Sequence, residues 1–195
     1  VLGKKIFTFA GTFAPYQGIE VLIDAAKLVQ DKNVVFLLAG KGPEKQKMKE
    51  RVADELITNI KFIDSPFDEM NNLMSITYAS IVLLRNLEVS KLMRLSKTFP
   101  PLACGVPVIF SGLGESADII KKTNSGIVTE PENPKKLADA IQYLAENPIK
   151  RDQMGLNGRE YIEDNLSWSF IVNDWLRQIE NIRNDKKPFI PNFSP

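Results

Sequence analysis

Short runs of apolar, often β-branched residues recur along the chain at Lys5–Ala10, Val34–Ala39, Ile60–Ile63, Ser80–Leu84, Pro107–Phe110 and Gly126–Thr129. Each is too brief for a helix and is bounded by turn residues, so the pattern predicts six buried strands. The stretches between them carry helical spacing, as in Val21, Leu22, Ala25, Ala26, Leu28 and Val29, then Phe67, Met70, Leu73, Met74 and Thr77. Strands separated by helices need crossover connections, and right-handed crossovers give a parallel sheet covered on both faces. The predicted fold is therefore α/β, a doubly wound parallel six-stranded sheet. After the sixth run the pattern turns purely helical: Pro134–Glu146 opens with proline, a second helix starts near Lys150, and Ser167 is placed to cap a third. Trp168, Phe170, Val172, Trp175, Leu176 and Ile179 predict that this last helix packs on the domain. The reading is one domain over residues 1–184, with the terminal helices from about 134, and a loose proline-rich tail over 185–195.

Composition changes this picture mainly by exclusion. With 195 residues, 44% of them hydrophobic and 25% charged, the chain has ordinary globular usage, which argues against disorder and against a small disulfide scaffold. The formal net charge of +1 supplies no long-range field to gather nucleic acid. Cys104 is the single cysteine, so no intrachain disulfide forms and a reduced, cytoplasmic setting is the simpler expectation. The opening Val1-Leu2-Gly3-Lys4-Lys5 lacks the stages of a secretion signal, and no apolar run is long enough for a membrane span. There is no histidine, which removes the commonest general base and the commonest zinc ligand, and no metal or other cofactor is expected.

Ligands of open α/β sheets bind beyond the carboxyl ends of the strands, which singles out Gly11–Gly18, Gly40–Pro43, Asp64–Pro66, Arg85–Lys97 and Ser111–Ser116. The first loop joins strand to helix with a glycine at each end, a shape that can bring backbone amides to a phosphate and equally serves as plain turn punctuation. Gly40-Lys41-Gly42-Pro43 lacks the third glycine of the dinucleotide fingerprint and the Gly-Lys-Ser/Thr ending of a P-loop. Lys97, ahead of a short helix, would add its charge to exposed amides, which suits a diphosphate; a solvated surface charge is the ordinary alternative. Glu115, between a glycine turn and a helix, can accept two sugar hydroxyls or simply complement the helix dipole.

The run Ala103-Cys104-Gly105-Val106-Pro107-Val108-Ile109 resembles the A-x-G-x-P-V-I signature of the retaining glycosyltransferases of family four, whose architecture is called GT-B. The order of the other segments is similar as well: Gly11 through Gly18 before Leu22–Ala26, then Leu37–Pro43, Ile60–Phe62, Gly126–Val128, Pro134–Ala140 and Leu166–Trp168. The resemblance spans roughly residues 5 to 180. Ser96-Lys97-Thr98-Phe99 and the Gly114-Glu115 loop resemble bacterial surface-polysaccharide members.

The resemblance implies a donor domain that binds a nucleoside diphosphate sugar, without a metal, and hands the sugar to an acceptor glycan or lipid-linked glycan recognised by an N-terminal domain outside this chain. Any peripheral attachment to the inner membrane face would reside in that other half. It implies that Lys97 and Arg85, with amides near Gly11 and Thr12, stabilise the departing diphosphate. Gln17, Gly18, Ser96 and Thr98 complete the donor site, Ile63 and Asp64 meet the base, and Gly114, Glu115 and Ser116 orient the sugar. Four positions depart from the family pattern. Leu92 and Pro100 stand where two glutamates are usual, the second a ribose contact; Thr12 and Gln17 stand where arginine and lysine address the diphosphate. Arg85, Arg94 and Lys97 are the candidates to replace the lost charge. The alternative is a catalytically decayed nucleotide-sugar-binding or scaffolding module. An epimerase of the same architecture is less suited, because the acidic and histidine residues it needs are absent.

Overall fold

The structure, a computed structural model, describes residues 3–64 and 69–185. Pro66, Phe67 and the tail from 186 lie outside the described residues. Six strands, β1 (Lys5–Ala10), β2 (Val34–Ala39), β3 (Ile60–Ile63), β4 (Ala79–Leu83), β5 (Val108–Ser111) and β6 (Gly126–Thr129), form one sheet. Its order is β3-β2-β1-β4-β5-β6 and every pairing is parallel. Strands β4 and β5 are each displaced by one residue from the apolar runs. Pro107 has no N–H to give the ladder, so it stays outside β5 and contributes only its carbonyl, which accepts from the Ser80 amide at 2.9 Å.

Helices α1 (Ile19–Leu28), α2 (Lys45–Asp54), α3 (Met70–Ser75), α4 (Phe99–Ala103), α5 (Glu115–Thr123), α6 (Pro134–Glu146), α7 (Pro148–Asn165) and α8 (Trp168–Asp185) complete the chain. Side-chain alternation sorts the residues of β4 and β5 between two cores. Phe7, Phe36, Leu38, Ile81, Leu83 and Ile109 meet Leu22 and Ile23 of α1 and Leu137, Ile141 and Leu144 of α6. Val82, Val108 and Phe110, their immediate neighbours in sequence, meet Leu102 of α4 and Ala117 and Ile120 of α5. Both faces of the sheet are thereby covered, as parallel strands require.

Sheet order decides where a ligand fits. Strand β1 lies between β2 and β4, so the chain winds one way from β1 to β3 and the other way from β4 to β6. The segments leaving the carboxyl ends of β1 and β4 therefore separate, and a crevice opens between them.

Helix α8 corrects one expectation. Ser167 does cap it, its hydroxyl accepting from the Phe170 amide at 3.2 Å. The apolar stripe is not packed on the domain, however: Trp168 is 81% exposed and Trp175 66%, and Phe170, Val172, Leu176 and Ile179 are exposed too. Amphipathic spacing reports that a face suits burial and says nothing of what buries it.

Helix α7 crosses α4 at unusually close range. A Cβ placed on Gly155 would stand 2.1 Å from the carbonyl oxygen of Gly105, closer than any side chain tolerates. Gly155→Ala is expected to lower stability by about 1–3 kcal/mol, the range for forced overpacking, as read from urea unfolding midpoints. A neighbouring exposed change, Leu156→Ala, should stay within about 0.5 kcal/mol.

Candidate functional site

The crevice at the β1/β4 divergence is a cleft of about 990 Å³. One wall is Ala10, Gly11, Thr12, Tyr16 and Gln17, which follow β1; the other is Met93 to Lys97 with Pro100 and Pro101, which follow β4. Met70, Asn71 and Met74 of α3 contribute a third side.

The β1 wall is pinned by backbone. The Gly11 amide donates to the Ala39 carbonyl at 3.0 Å and the Phe13 amide to the Lys41 carbonyl at 2.8 Å. Gly40 permits this approach, since its φ is +134° and a Cβ there would fall 1.9 Å from the Gly11 carbonyl oxygen. The Gly11 amide is thus spent inside the fold, whereas the Thr12 amide donates to no described residue. Of the two amides expected to meet a phosphate, only Thr12 retains a free N–H.

Lys97 holds the centre of the site. It lies in the turn Ser96–Thr98, and its ammonium donates to Gln17 Oε1 at 2.5 Å across the cleft, linking the two walls. The same nitrogen lies 5.3 Å from the centre of the Phe9 ring and 3.1 Å from where a Cβ on Gly11 would be. Among the described residues no carboxylate pairs with it. Burial, uncompensated by any anion, pulls its pKa down from 10.5 to about 8. It remains mostly protonated at neutral pH, a partly desolvated cation whose contacts are an amide oxygen and a π face.

The reasoning that placed Lys97 beside helix amides needs correction. Helix α4, which follows it, is only five residues long and has prolines at 100 and 101, which carry no N–H. Positive potential here comes from the side chain, with little from the helix end.

Arg85 is placed differently from Lys97. Its Nε donates to the Pro15 carbonyl at 2.7 Å, one terminal nitrogen bonds Glu20, and the other bonds Glu132 at 3.1 Å. It does not line the cleft, and its guanidinium clamps the start of α1 to the segments after β4 and β6. Gly18 lies against its aliphatic stem, 3.3 Å from a Cβ position to Arg85 Cγ. Charge neutralised by two carboxylates has little left to offer a diphosphate. Arg94 does line the cleft, stacked over the Phe99 ring at 5.3 Å and 3.5 Å from Glu115 Oε1.

The remaining predicted residues divide the same way. Ser96 lines the cleft; Thr98 is fully buried, and its hydroxyl has no hydrogen-bond partner among the described residues. Gly114, Glu115 and Ser116, at the start of α5, form no part of the cleft lining, yet they border it through the Arg94–Glu115 pair and through Ser116 Oγ, which accepts from the Leu95 amide at 3.1 Å. Ile63 and Asp64 are outside the lining too: Lys45 Nζ bonds the Ile63 carbonyl at 3.0 Å and Asp64 at 2.5 Å, and this hydrogen bond holds the Asp64 carboxyl below its usual pKa. Sequence reasoning missed Asn71 as a lining residue, read Ser80 only as part of a strand and read Met70 and Met74 only as the apolar face of a helix. Among the described residues no group of three or more Asp, Glu, Cys or His side chains is arranged to hold a metal ion, and no helix is long and apolar enough to cross a membrane.

The crevice at the sheet divergence thus holds one half-buried cation, and the comparisons with known proteins place the chain in a family. An uncharacterized glycosyltransferase of Methanocaldococcus jannaschii is 29% identical over 165 residues, which cover 84% of this chain and 44% of that protein. The D-rhamnosyltransferase WbpZ of Pseudomonas aeruginosa is 27% identical over 158 residues, 80% of this chain and 40% of the relative. The chain thus spans less than half the length of these curated relatives. In fold it superposes on Anabaena HepE, solved in complex with UDP, with a TM-score of 0.80 and 17% identity over 92% of this chain and 49% of that one. The family model for glycosyl transferases group 1 matches residues 1–161, and the chain belongs to that family, with the α/β architecture of a GT-B Rossmann-like domain.

Proposed function

We propose that this chain is the donor-binding domain of a retaining, family-four type glycosyltransferase that takes a nucleoside diphosphate sugar and passes the sugar to an acceptor glycan, as in bacterial surface-polysaccharide synthesis. The observation that carries the reading is the Lys97 ammonium, partly desolvated in the cleft beside Gly11 and without a carboxylate partner among the described residues. A diphosphate supplies the missing negative charge. Membership of the family and the nature of the D-rhamnosyltransferase relative support the choice of donor and pathway class.

In the transfer, the bond between the sugar's anomeric carbon and the diphosphate oxygen breaks and its electron pair stays on the diphosphate. The acceptor hydroxyl oxygen bonds the anomeric carbon and gives up its proton. Lys97 and the Thr12 amide stabilise the charge that develops on the leaving group, with Arg94 close enough to add to it. Glu115 and the first-turn amides of α5 border the cleft where they can receive the sugar hydroxyls. The reading calls for no metal ion. The acceptor and the proton-accepting group belong to an N-terminal domain, and the exposed stripe of α8 is a surface for such a domain to cover.

Calorimetric titration with UDP, GDP and ADP and their sugar conjugates tests the reading. Binding of one base is expected, and Lys97→Ala should weaken it about 10- to 100-fold, the worth of a hydrogen bond to a charged group. Arg85→Ala should leave affinity within about threefold, because its effect falls on the fold through Glu20 and Glu132. Absence of binding to wild type at roughly millimolar ligand would favour a decayed module.

The pH dependence follows from the depressed Lys97 value. A nucleoside diphosphate sugar needs the ammonium, so its affinity should be steady below about pH 8 and fall by up to about tenfold per unit above it. Stability moves the other way. The folded amine loses its proton more readily than the unfolded one, so this residue destabilises the fold below about pH 8, and the penalty disappears as pH rises toward 10.5. Lys97→Met should therefore raise the thermal midpoint at pH 7 while weakening binding about 10- to 100-fold, and a midpoint no higher than wild type would show that the charge carries no cost.

A further inference from the structure

Gln17 and Lys97 meet from opposite walls of the cleft, 80 residues apart along the chain. Gln17 is only 2% exposed, and its backbone is fixed before its side chain is considered. It closes the short turn Pro15–Gln17, in which proline sets the first backbone angle and the Gln17 amide donates to the Ala14 carbonyl at 3.0 Å. Gly18, with φ +67°, ends the turn. The Tyr16 carbonyl accepts from the backbone amide of Arg85 at 3.0 Å, which ties the turn to the end of β4.

An ammonium has donors and no acceptor, so the Gln17 side chain turns its oxygen toward Lys97. A lysine amine rides on a flexible four-carbon stem and is placed only by what it touches. Here the neighbours are the Gln17 oxygen, the Phe9 ring at 5.3 Å, and Gly11, where a Cβ would stand 3.1 Å from the same nitrogen. Of these contacts the amide oxygen makes the directed hydrogen bond. It carries no formal charge, so it orients the cation without cancelling it. A carboxylate in its place would neutralise the ammonium inside the fold, as Glu20 and Glu132 do for Arg85. Resting on the donor-site reading above, we infer that Gln17 is a positioning residue whose uncharged oxygen holds the Lys97 ammonium in the cleft with its positive charge still available to the donor's diphosphate. Gln17 acts through Lys97, and the property that matters is an acceptor without charge.

Replacing Gln17 by its near-isosteres glutamate and methionine separates the hydrogen bond from the charge. Two quantities are read on the whole chain: the titration of the Lys97 amine by nuclear magnetic resonance, and calorimetric affinity for UDP, GDP and ADP. The other titratable side chains of the lining, Arg94 and Tyr16, are the same in every variant. Gln17→Glu sets an anion against the ammonium, so the Lys97 midpoint should climb by about one to three pH units from about 8, and affinity for whichever diphosphate binds should fall about tenfold or more. Gln17→Met removes the acceptor and adds no charge, so affinity should fall about three- to tenfold with no rise in the midpoint. An amide that merely supported the turn would leave the Lys97 midpoint unmoved in Gln17→Glu; that result, or a raised midpoint with unchanged affinity, overturns the inference. A wild type that binds none of the three diphosphates while the midpoint still climbs in Gln17→Glu overturns the donor-site reading, and the inference resting on it, but not the contact between the two side chains. Should Gln17→Glu fail to fold by circular dichroism, Gln17→Met decides, and an affinity within about twofold of wild type overturns the inference.

Discussion

Parallel pairing is the constraint on which the rest of this structure depends. Neighbouring strands that run the same way cannot be joined by a hairpin, so each must be followed by a crossover, and the crossovers from β1 and from β4 depart in opposite directions. The backbone itself therefore opens a crevice at that junction before any side chain is chosen. Side chains then give the crevice its character: Lys97 from one wall reaches Gln17 on the other, and Gly40 lets the β1 and β2 loops close up behind them. A cation held between two walls by an amide oxygen and an aromatic face is under-neutralised, and under the proposed function that deficit is what the donor's diphosphate would fill.

The two arginines near the site show why position on a loop does not equal function. Arg85 and Arg94 both follow β4, nine residues apart by number, and sequence alone grouped them with Lys97. Arg85 turns back under Gly18 into two carboxylates, Glu20 and Glu132, that lie 65 and 47 residues away along the chain. No local pattern announces such partners. Arg94 stays at the cleft, stacked on Phe99. Arg85 thus belongs to a framework of paired charge, while Arg94, 3.5 Å from Glu115, lines the cleft itself.

What could be read from the sequence follows the same physics. The six strands were legible because strands buried on both faces are continuous apolar runs closed by turn residues, and only the proline at 107 and the junction before β4 shifted their ends by a residue. The loops at the cleft were legible because ligands follow carboxyl strand ends. The apolar lining was not, since Met70 and Met74 have the spacing of a helix face that meets a core, and at this helix the face meets both core and cleft. Nor was the exposure of α8 legible: Trp168 and Trp175 carry the signature of burial, and both are exposed. Pro100 was visible as a departure from the family pattern, but its place in one cleft lining with Pro101, Met70 and Met74 was not.

The most direct measurement is the titration of the Lys97 amine itself, followed by nuclear magnetic resonance of its side-chain carbons in the free chain and with saturating nucleoside diphosphate sugar. The account predicts a midpoint near 8 in the free chain, moving upward when the diphosphate arrives, because the ligand supplies the counter-charge the fold withholds. An amine that titrates near the ordinary lysine value and does not respond to ligand would contradict it.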